Sequence, residues 1–293
     1  AIPTETVYGL AANGFDAAAV LKVFRAKERP AFDPLIVHID CMEAVHTVVR
    51  ELPPGAAALM DAFWPGPLTL VLPKHQAIPD IVTSGLDTVG VRMPAHPLTR
   101  KLLHLLNFPL AAPSANPFGY VSPTTAQHVA DQLGERISYI VDGGPCVVGV
   151  ESTIVGWEHG RWVLYRAGGV ALEAIERVVG MVEPTVKQVL PVAPGMLESH
   201  YAPRKPVYVG DVHELLQAHA GRQVAVIAFR TGYPVYRSEV LSGSGDLAEA
   251  AQRLFAVLRE LDTSDVDVIL AEVFPEEGLG RAINDRLGRA AAR

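Results

Sequence analysis

Short apolar runs, small polar loops and amphipathic stretches follow one another along this chain in a repeated order, and few architectures accept that order. Residues 35–39 (Leu-Ile-Val-His-Ile) have the length and β-branching of a central strand. Residues 88–94 read as a strand with Arg92 near its C-terminal end, followed by a helix from Pro97 to Leu106. From Pro109 a short buried strand breaks at Pro113 into a loop of small residues. It restarts as a helix through Ser122-Pro123, with Thr124 and Thr125 at the helix N-terminus. A further strand, 162–169, ends on Arg166 and a glycine pair before a helix over 172–179. Strand, polar loop, helix is the signature of an α/β sheet covered by helices, and the β-rich patch between 147 and 166 predicts a mixed sheet.

Other elements fill this frame. Ala1-Ile2-Pro3 reads as the end of a strand, Asp16 caps a helix that Pro30 stops, and 42–50 and 55–63 are helical. Strands are predicted over 68–72, 139–142 and 150–155. With 293 residues the chain suits two domains, and periodicity fails between 182 and 206, where proline collects. The reading is therefore a domain over 1–181, a Pro-rich linker over 182–206 and a smaller three-layer α/β domain over 207–293. In the smaller domain, strands 207–209, 224–229 and 266–271 alternate with helices 212–220, 246–261 and 280–292.

Composition excludes several classes. Apolar residues make up 49% and charged residues 19%, which describes a packed globular protein. No apolar run approaches the roughly 18 residues that span a bilayer, and no signal peptide is apparent, so a cytoplasmic protein without a membrane is expected. Cys41 and Cys146 cannot build a disulfide framework and read as buried thiols; no Cys/His cluster has metal-ligand spacing. A net charge of −7 argues against a protein that chiefly grips a phosphate backbone.

Motif searches narrow the chemistry. Gly243-Ser244-Gly245-Asp246-Leu247-Ala248 has the form of a dinucleotide fingerprint, yet it follows no convincing strand and reads as a loop and helix cap. Signatures of P-loops, α/β-hydrolases and zincins are missing. What remains is a set of cations and hydroxyls at strand ends and loops: Thr4, Thr6, Lys27, Arg29, His38, Arg92, Ser114, Asn116, Ser152 and Arg166. Guanidinium groups pair bidentately with carboxylate and phosphate, so such a set could hold both. Three readings stay open at this level. They are a nucleotide enzyme, an RNA-binding module, and a hydrolase with Ser114 or Cys146 as nucleophile.

Several ordered motifs carry a resemblance. Pro3-Thr4-Glu5-Thr6-Val7-Tyr8-Gly9-Leu10, the Lys27-x-Arg29-Pro30 turn running into 34–39, Pro65-Gly66-Pro67-Leu68-Thr69, Pro113-Ser114-Ala115-Asn116 and Glu151-Ser152-Thr153 together resemble the YrdC-like threonylcarbamoyl-AMP synthase family. Its two-domain form is suggested by Pro194-Gly195-Met196, His200-Tyr201-Ala202-Pro203, Gly278-Leu279-Gly280 and Asn284-Asp285-Arg286-Leu287. The resemblance implies a twisted mixed sheet with flanking helices plus a Rossmann-like C-terminal domain.

It also implies a reaction. L-threonine, bicarbonate or CO2, and ATP with magnesium give threonylcarbamoyl-AMP and pyrophosphate. A downstream transferase complex then carries the threonylcarbamoyl group to tRNA, to the adenosine beside the anticodon. By similarity, Thr6, His38, Arg92, Ala112 and Ser152 surround threonine. Arg29, Asp33, Thr88, Ser114, Asn116, Ser122, Arg166 and Tyr201 meet the nucleotide, and Lys27 and Arg29 are the catalytic cations. The Tyr201-bearing linker is expected to act as a lid that keeps water from the labile intermediates. Asp33 departs from the asparagine common in the family, and its charge opposes phosphate binding unless a cation meets it.

Overall fold

A computed structural model describes residues 1–185, 193–196 and 200–292. The first part of the chain runs β1 (Ala12–Asn13), α1 (Ala17–Lys27), β2 (Ile36–His38), α2 (Val45–Val48), α3 (Ala56–Phe63) and β3 (Leu68–Pro73). It continues with α4 (Asp80–Thr83), β4 (Thr88–Arg92), α5 (Pro97–Leu105), β5 (Leu110–Ala111) and α6 (Ala126–Leu133). β6 (Thr153–Glu158), β7 (Arg161–Arg166), α7 (Leu172–Val179) and β8 (Val182–Pro184) complete it. These strands form one eight-stranded sheet in the order β1-β5-β2-β4-β3-β6-β7-β8. The sheet is mixed, as expected: β2 with β4, β3 with β6 and β7 with β8 are parallel, and the other neighbours are antiparallel. Leu35, Val37, Leu70, Val91 and Val155 build its main core with the helices on that face.

The second part runs β9 (Val207–Val209), α8 (Val212–Ala218), β10 (Val224–Ala228), β11 (Arg237–Val240), α9 (Leu247–Thr263), β12 (Val268–Ala271) and α10 (Gly280–Ala291). Its four strands are all parallel, in the order β11-β10-β12-β9. The two parts share an apolar core. Val7, Val121 and Val150 pack in one cluster with Tyr201, Leu254, Phe255, Ile283 and Leu287. Among the described residues, no helix is long and apolar enough to cross a membrane.

The structure corrects several expectations. Residues 139–142 form no strand: Tyr139 is 81% exposed, and the segment is held by its backbone bonds to Ala1. Ala1-Ile2-Pro3 contributes only a bridge from Ile2 to Gly9. The strand placed at 150–155 begins at Thr153, because Glu151 and Ser152 are drawn into buried ion-pair and hydroxyl contacts. Residues 182–184, expected to open the linker, form the edge strand β8 beside β7. Helix 42–50 shrinks to one turn, Val45–Val48. α1 does end in the basic turn before Pro30, at Lys27, where Glu28 takes a left-handed cap with φ 56°. β11 was not anticipated, since Arg-Ser-Glu-Val has neither alternation nor an apolar run. Cys146 is buried as expected, whereas Cys41 is half-exposed. Asp246 caps α9 by accepting from Ala248 and Glu249, which is the role read for the Gly-Ser-Gly-Asp stretch.

Candidate functional site

The parallel pair β2 and β4 ends with His38 opposite Arg92. Ligands gather at such C-terminal strand ends, and here the turn after Ala1 folds over them. Arg92 donates to Thr6 Oγ1 at 3.0 Å and to the Gly66 carbonyl at 3.1 Å, and pairs with Glu5 Oε1 at 2.6 Å. Although burial raises Glu5, Arg92 holds its carboxyl below the ordinary value. Thr4 and Thr6 share a hydroxyl hydrogen bond of 2.7 Å. His38 is buried with Nδ1 unpartnered, and burial together with Arg92 pushes its pKa down to about 3, so it is a neutral imidazole.

A second cluster lies across the pocket. Arg166, at the end of β7, donates to the Ser152 carbonyl at 2.9 Å, to Ser152 Oγ at 3.2 Å and to the Pro194 carbonyl at 2.9 Å. Ser152 Oγ also meets Thr69 Oγ1 at 2.8 Å. Arg29 donates to the carbonyls of Asp33 at 3.0 Å and Pro34 at 2.9 Å, pairs with the Asp33 carboxylate at 2.9 Å, and lies against Phe118. Glu151 accepts from Ser122 Oγ at 2.5 Å and from Arg286 at 2.7 Å. Burial pushes Glu151 up, and the guanidiniums of Arg286 and Arg166 more than offset it.

The pocket between these clusters, part of it open to solvent, spans about 540 Å³. Of the residues singled out in the sequence, Thr6, Arg29, His38, Arg92, Ala112, Ser114, Ser152, Arg166 and Tyr201 all line it. Five do not. Lys27 is buried behind the wall, with Nζ donating to the carbonyls of Ser114, at 2.6 Å, and of Asn116. Burial and the neighbouring Arg29 draw its pKa well below that of a free lysine. Asp33 lies under Arg29, wholly buried, and burial raises its pKa. Asn116 donates to the carbonyls of Pro117 at 2.9 Å and Tyr120 at 2.8 Å, and Ser122 reaches the pocket only through Glu151. Thr88 is the clearest departure: it pairs with Pro73 at the opposite end of β4 from Arg92, roughly 13 Å away along the strand.

Sequence reasoning assigned no role to four residues that matter here. Glu5 and Glu151 sit inside the motifs already quoted. His200 sits beside Tyr201, buried with Nδ1 unpartnered and its pKa pushed down to about 3, chiefly by burial. Gly195 packs against Tyr201 and Arg166 at φ +78°. Their neighbours 197–199 lie outside the described residues, as do 186–192 of the expected linker. Cys146 does not suit a nucleophile, because burial pushes its thiol up to about 12.

Residues 1–168 match the Sua5/YciO/YrdC family model, described as telomere recombination. Residues 170–292 match the C-terminal domain of threonylcarbamoyl-AMP synthase. Threonylcarbamoyl-AMP synthase of Pyrococcus abyssi is 46% identical, covering 99% of this chain and 89% of that protein. The Bacillus subtilis enzyme of the same name is 42% identical over 99% of this chain and 88% of its own length. The chain belongs to the threonylcarbamoyl-AMP synthase family. It is also similar to the solved structure of P. abyssi Sua5 complexed with L-threonine. That structure has a TM-score of 0.93 and 44% identity, and the match covers 99% of this chain and 89% of that one. A P. abyssi Sua5 variant in which a histidine and a tyrosine are both alanine superposes with a TM-score of 0.92 at 42% identity, over 99% of this chain and 88% of that one. The family's activity makes the chain a nucleotidyl-transferring enzyme of tRNA modification, with the two-domain fold described above.

Proposed function

We propose that the pocket synthesises threonylcarbamoyl-AMP by holding L-threonine at the Arg92 cluster and ATP at the Arg29–Arg166 cluster. The observation that carries this reading is the convergence of two buried cation-and-hydroxyl clusters on one pocket that Tyr201 and Gly195 also line. Thr6, His38, Ala112 and Ser152 would surround the amino acid. Ser114 and Tyr201 would meet the nucleotide.

In this division little covalent work falls to the protein. The threonine amine, having shed a proton, attacks carbon dioxide, and loss of the second N–H proton leaves a carbamate. A carbamate oxygen then attacks the α-phosphorus of ATP while the bond to the bridging oxygen of the β-phosphate breaks, releasing pyrophosphate. Arg29 and Arg166 neutralise charge on the phosphate oxygens in a water-poor pocket. Lys27 contributes by fixing the Ser114–Asn116 carbonyls that shape the loop. Glu5, Asp33 and Glu151 are each engaged by an arginine, and the described residues contain no cluster of three metal-binding side chains. The residues therefore do not fit a protein-held ion, and magnesium would enter with the ATP phosphates.

The adjacent His-Tyr pair occurs once in this chain, at His200-Tyr201. A variant of the relative changes an adjacent histidine and tyrosine, and we read His200-Tyr201 as the matching pair and as part of a lid. The product would pass to a transferase that modifies tRNA beside the anticodon. The test is incubation with labelled threonine, bicarbonate, ATP and magnesium, with each substrate omitted in turn. Pyrophosphate and a threonine-containing adenylate are expected only when all three substrates are present. ATP consumption indifferent to threonine would overturn the reading.

A further inference from the structure

Helix α10 carries an arginine where its pattern calls for an apolar residue. Ala282, Ile283, Leu287 and Ala290 form its buried face, and Arg286 lies among them with no exposed surface. A guanidinium in such a place is tolerated only when its charge and N–H groups are matched. Here the main partners lie outside its own domain, in the first domain and the linker. Arg286 donates to Glu151 Oε2 at 2.7 Å and to the Ala167 carbonyl at 3.1 Å, and its guanidinium stands 5.0 Å from the centre of the Tyr201 ring. Asp285, next to it on the helix, completes its charge balance.

Both of its main partners are pocket walls. Glu151 precedes Ser152, whose carbonyl and hydroxyl Arg166 grips. Tyr201 takes a left-handed backbone conformation, φ 60°, which a non-glycine residue holds only when its surroundings fix it. Those surroundings are the rings of His200 at 4.1 Å and Phe255 of α9 at 5.6 Å, together with Arg286. The backbone on either side is tied as well: His200 N–H donates to the Arg289 carbonyl of α10 at 3.3 Å, and Ala202 N–H to the Gly119 carbonyl at 2.9 Å.

We propose that Arg286 is a positioning residue of the synthase pocket, delivered by the second domain to set Glu151 and Tyr201, and that α10 thereby governs how tightly the closed pocket retains its intermediate. The proposal rests on the reading of the pocket given above. Loosening Arg286 lets water reach the mixed anhydride, whose hydrolysis after pyrophosphate has left returns AMP, threonine and bicarbonate, so ATP is spent without yield.

The experiment measures threonylcarbamoyl-AMP formed per pyrophosphate released, the KM for threonine, and thermal melting. It compares the unmodified protein, Arg286→Lys, Arg286→Met and Arg281→Met. Arg281 sits on the same helix and pairs with Glu173 of the first domain, but at a partly exposed site outside the pocket, so it reports on docking alone. In Arg286→Lys the product ratio is expected to fall roughly ten- to hundredfold and the threonine KM to rise, while Arg281→Met matches the unmodified protein. If Arg286→Met does not fold, Arg286→Lys decides. A product ratio and KM unchanged in Arg286→Lys, with kcat falling only as the folded fraction falls, would overturn the proposal. Failure of the unmodified protein to make any product would instead overturn the reading of the pocket, and this proposal with it.

Discussion

The two domains use buried polarity in opposite ways. In the first, threonines, carboxylates and cations are buried around a pocket, and two imidazoles on its wall, His38 and, from the linker, His200, keep an Nδ1 that makes no hydrogen bond. In the second, the described residues hold no such orphaned atom, and its buried polar side chains are Ser242, Arg259, Asp262 and Arg286. Three of those four reach across to the first domain. Arg259 donates to the carbonyls of Ser122, at 3.1 Å, and of Val121, Asp262 accepts from Tyr120, and Arg286 pairs with Glu151. Unsatisfied buried groups cost stability, so the two on the pocket wall mark where a ligand's polar groups could be taken up, whereas satisfied ones fix geometry. One domain is a site, and the other is its support.

Substitutions can break this contrast. The largest effect is expected from Arg92→Met, which leaves the Glu5 carboxylate buried without its cation. That should cost about 3–5 kcal/mol in denaturant unfolding and abolish product formation. Gly195→Ala should act chiefly on the site. A Cβ there would collide with Tyr201 Oη at a backbone φ of +78°, so turnover should fall roughly ten- to hundredfold while unfolding loses only about 1–3 kcal/mol. Acid sharpens the contrast further. His38 and His200 protonate in the folded protein only near pH 3, against an ordinary value of 6.5. The unfolded chain therefore binds protons that the folded chain refuses, and stability falls as pH drops from about 6 towards 3. Each histidine contributes about 1.4 kcal/mol per pH unit in that window. Denaturant midpoints at successive pH values should show this slope, and His38→Asn should flatten it; a slope that His38→Asn leaves unchanged would count against the buried neutral imidazole. The smallest effects belong to the support. Gly243→Ala adds a Cβ that meets nothing within 4 Å, and Arg237→Met removes pairs to Glu239 and Glu260 that are partly open to solvent. Both should leave turnover unchanged and stability within about 1 kcal/mol.

Much of this was legible in the sequence where one physical rule dominates. Amphipathic periodicity located α1, α7 and α9, with Asp16 and Asp246 marking the starts of α1 and α9 by accepting backbone N–H groups, and apolar runs located β9, β10 and β12. Arg92 and Arg166 stood out as cations at strand ends. What escaped depends on contacts distant in sequence. Arg286 lies 135 residues from Glu151, and no local pattern marks an arginine on a buried helix face as paired rather than misplaced. β11 escaped because its pairing with β10, not its own composition, makes it a strand. Lys27 and Asn116 show the converse: both stood out as chemistry-bearing residues, yet both spend their polar groups on backbone carbonyls behind the pocket.

The claim that this pocket joins a threonine-derived carbamate to the α-phosphorus of ATP is tested most directly by isotope exchange between labelled pyrophosphate and ATP. The account predicts exchange only when threonine and bicarbonate are both present, and none in Arg92→Met. Exchange without threonine, or release of orthophosphate in place of pyrophosphate, would contradict it.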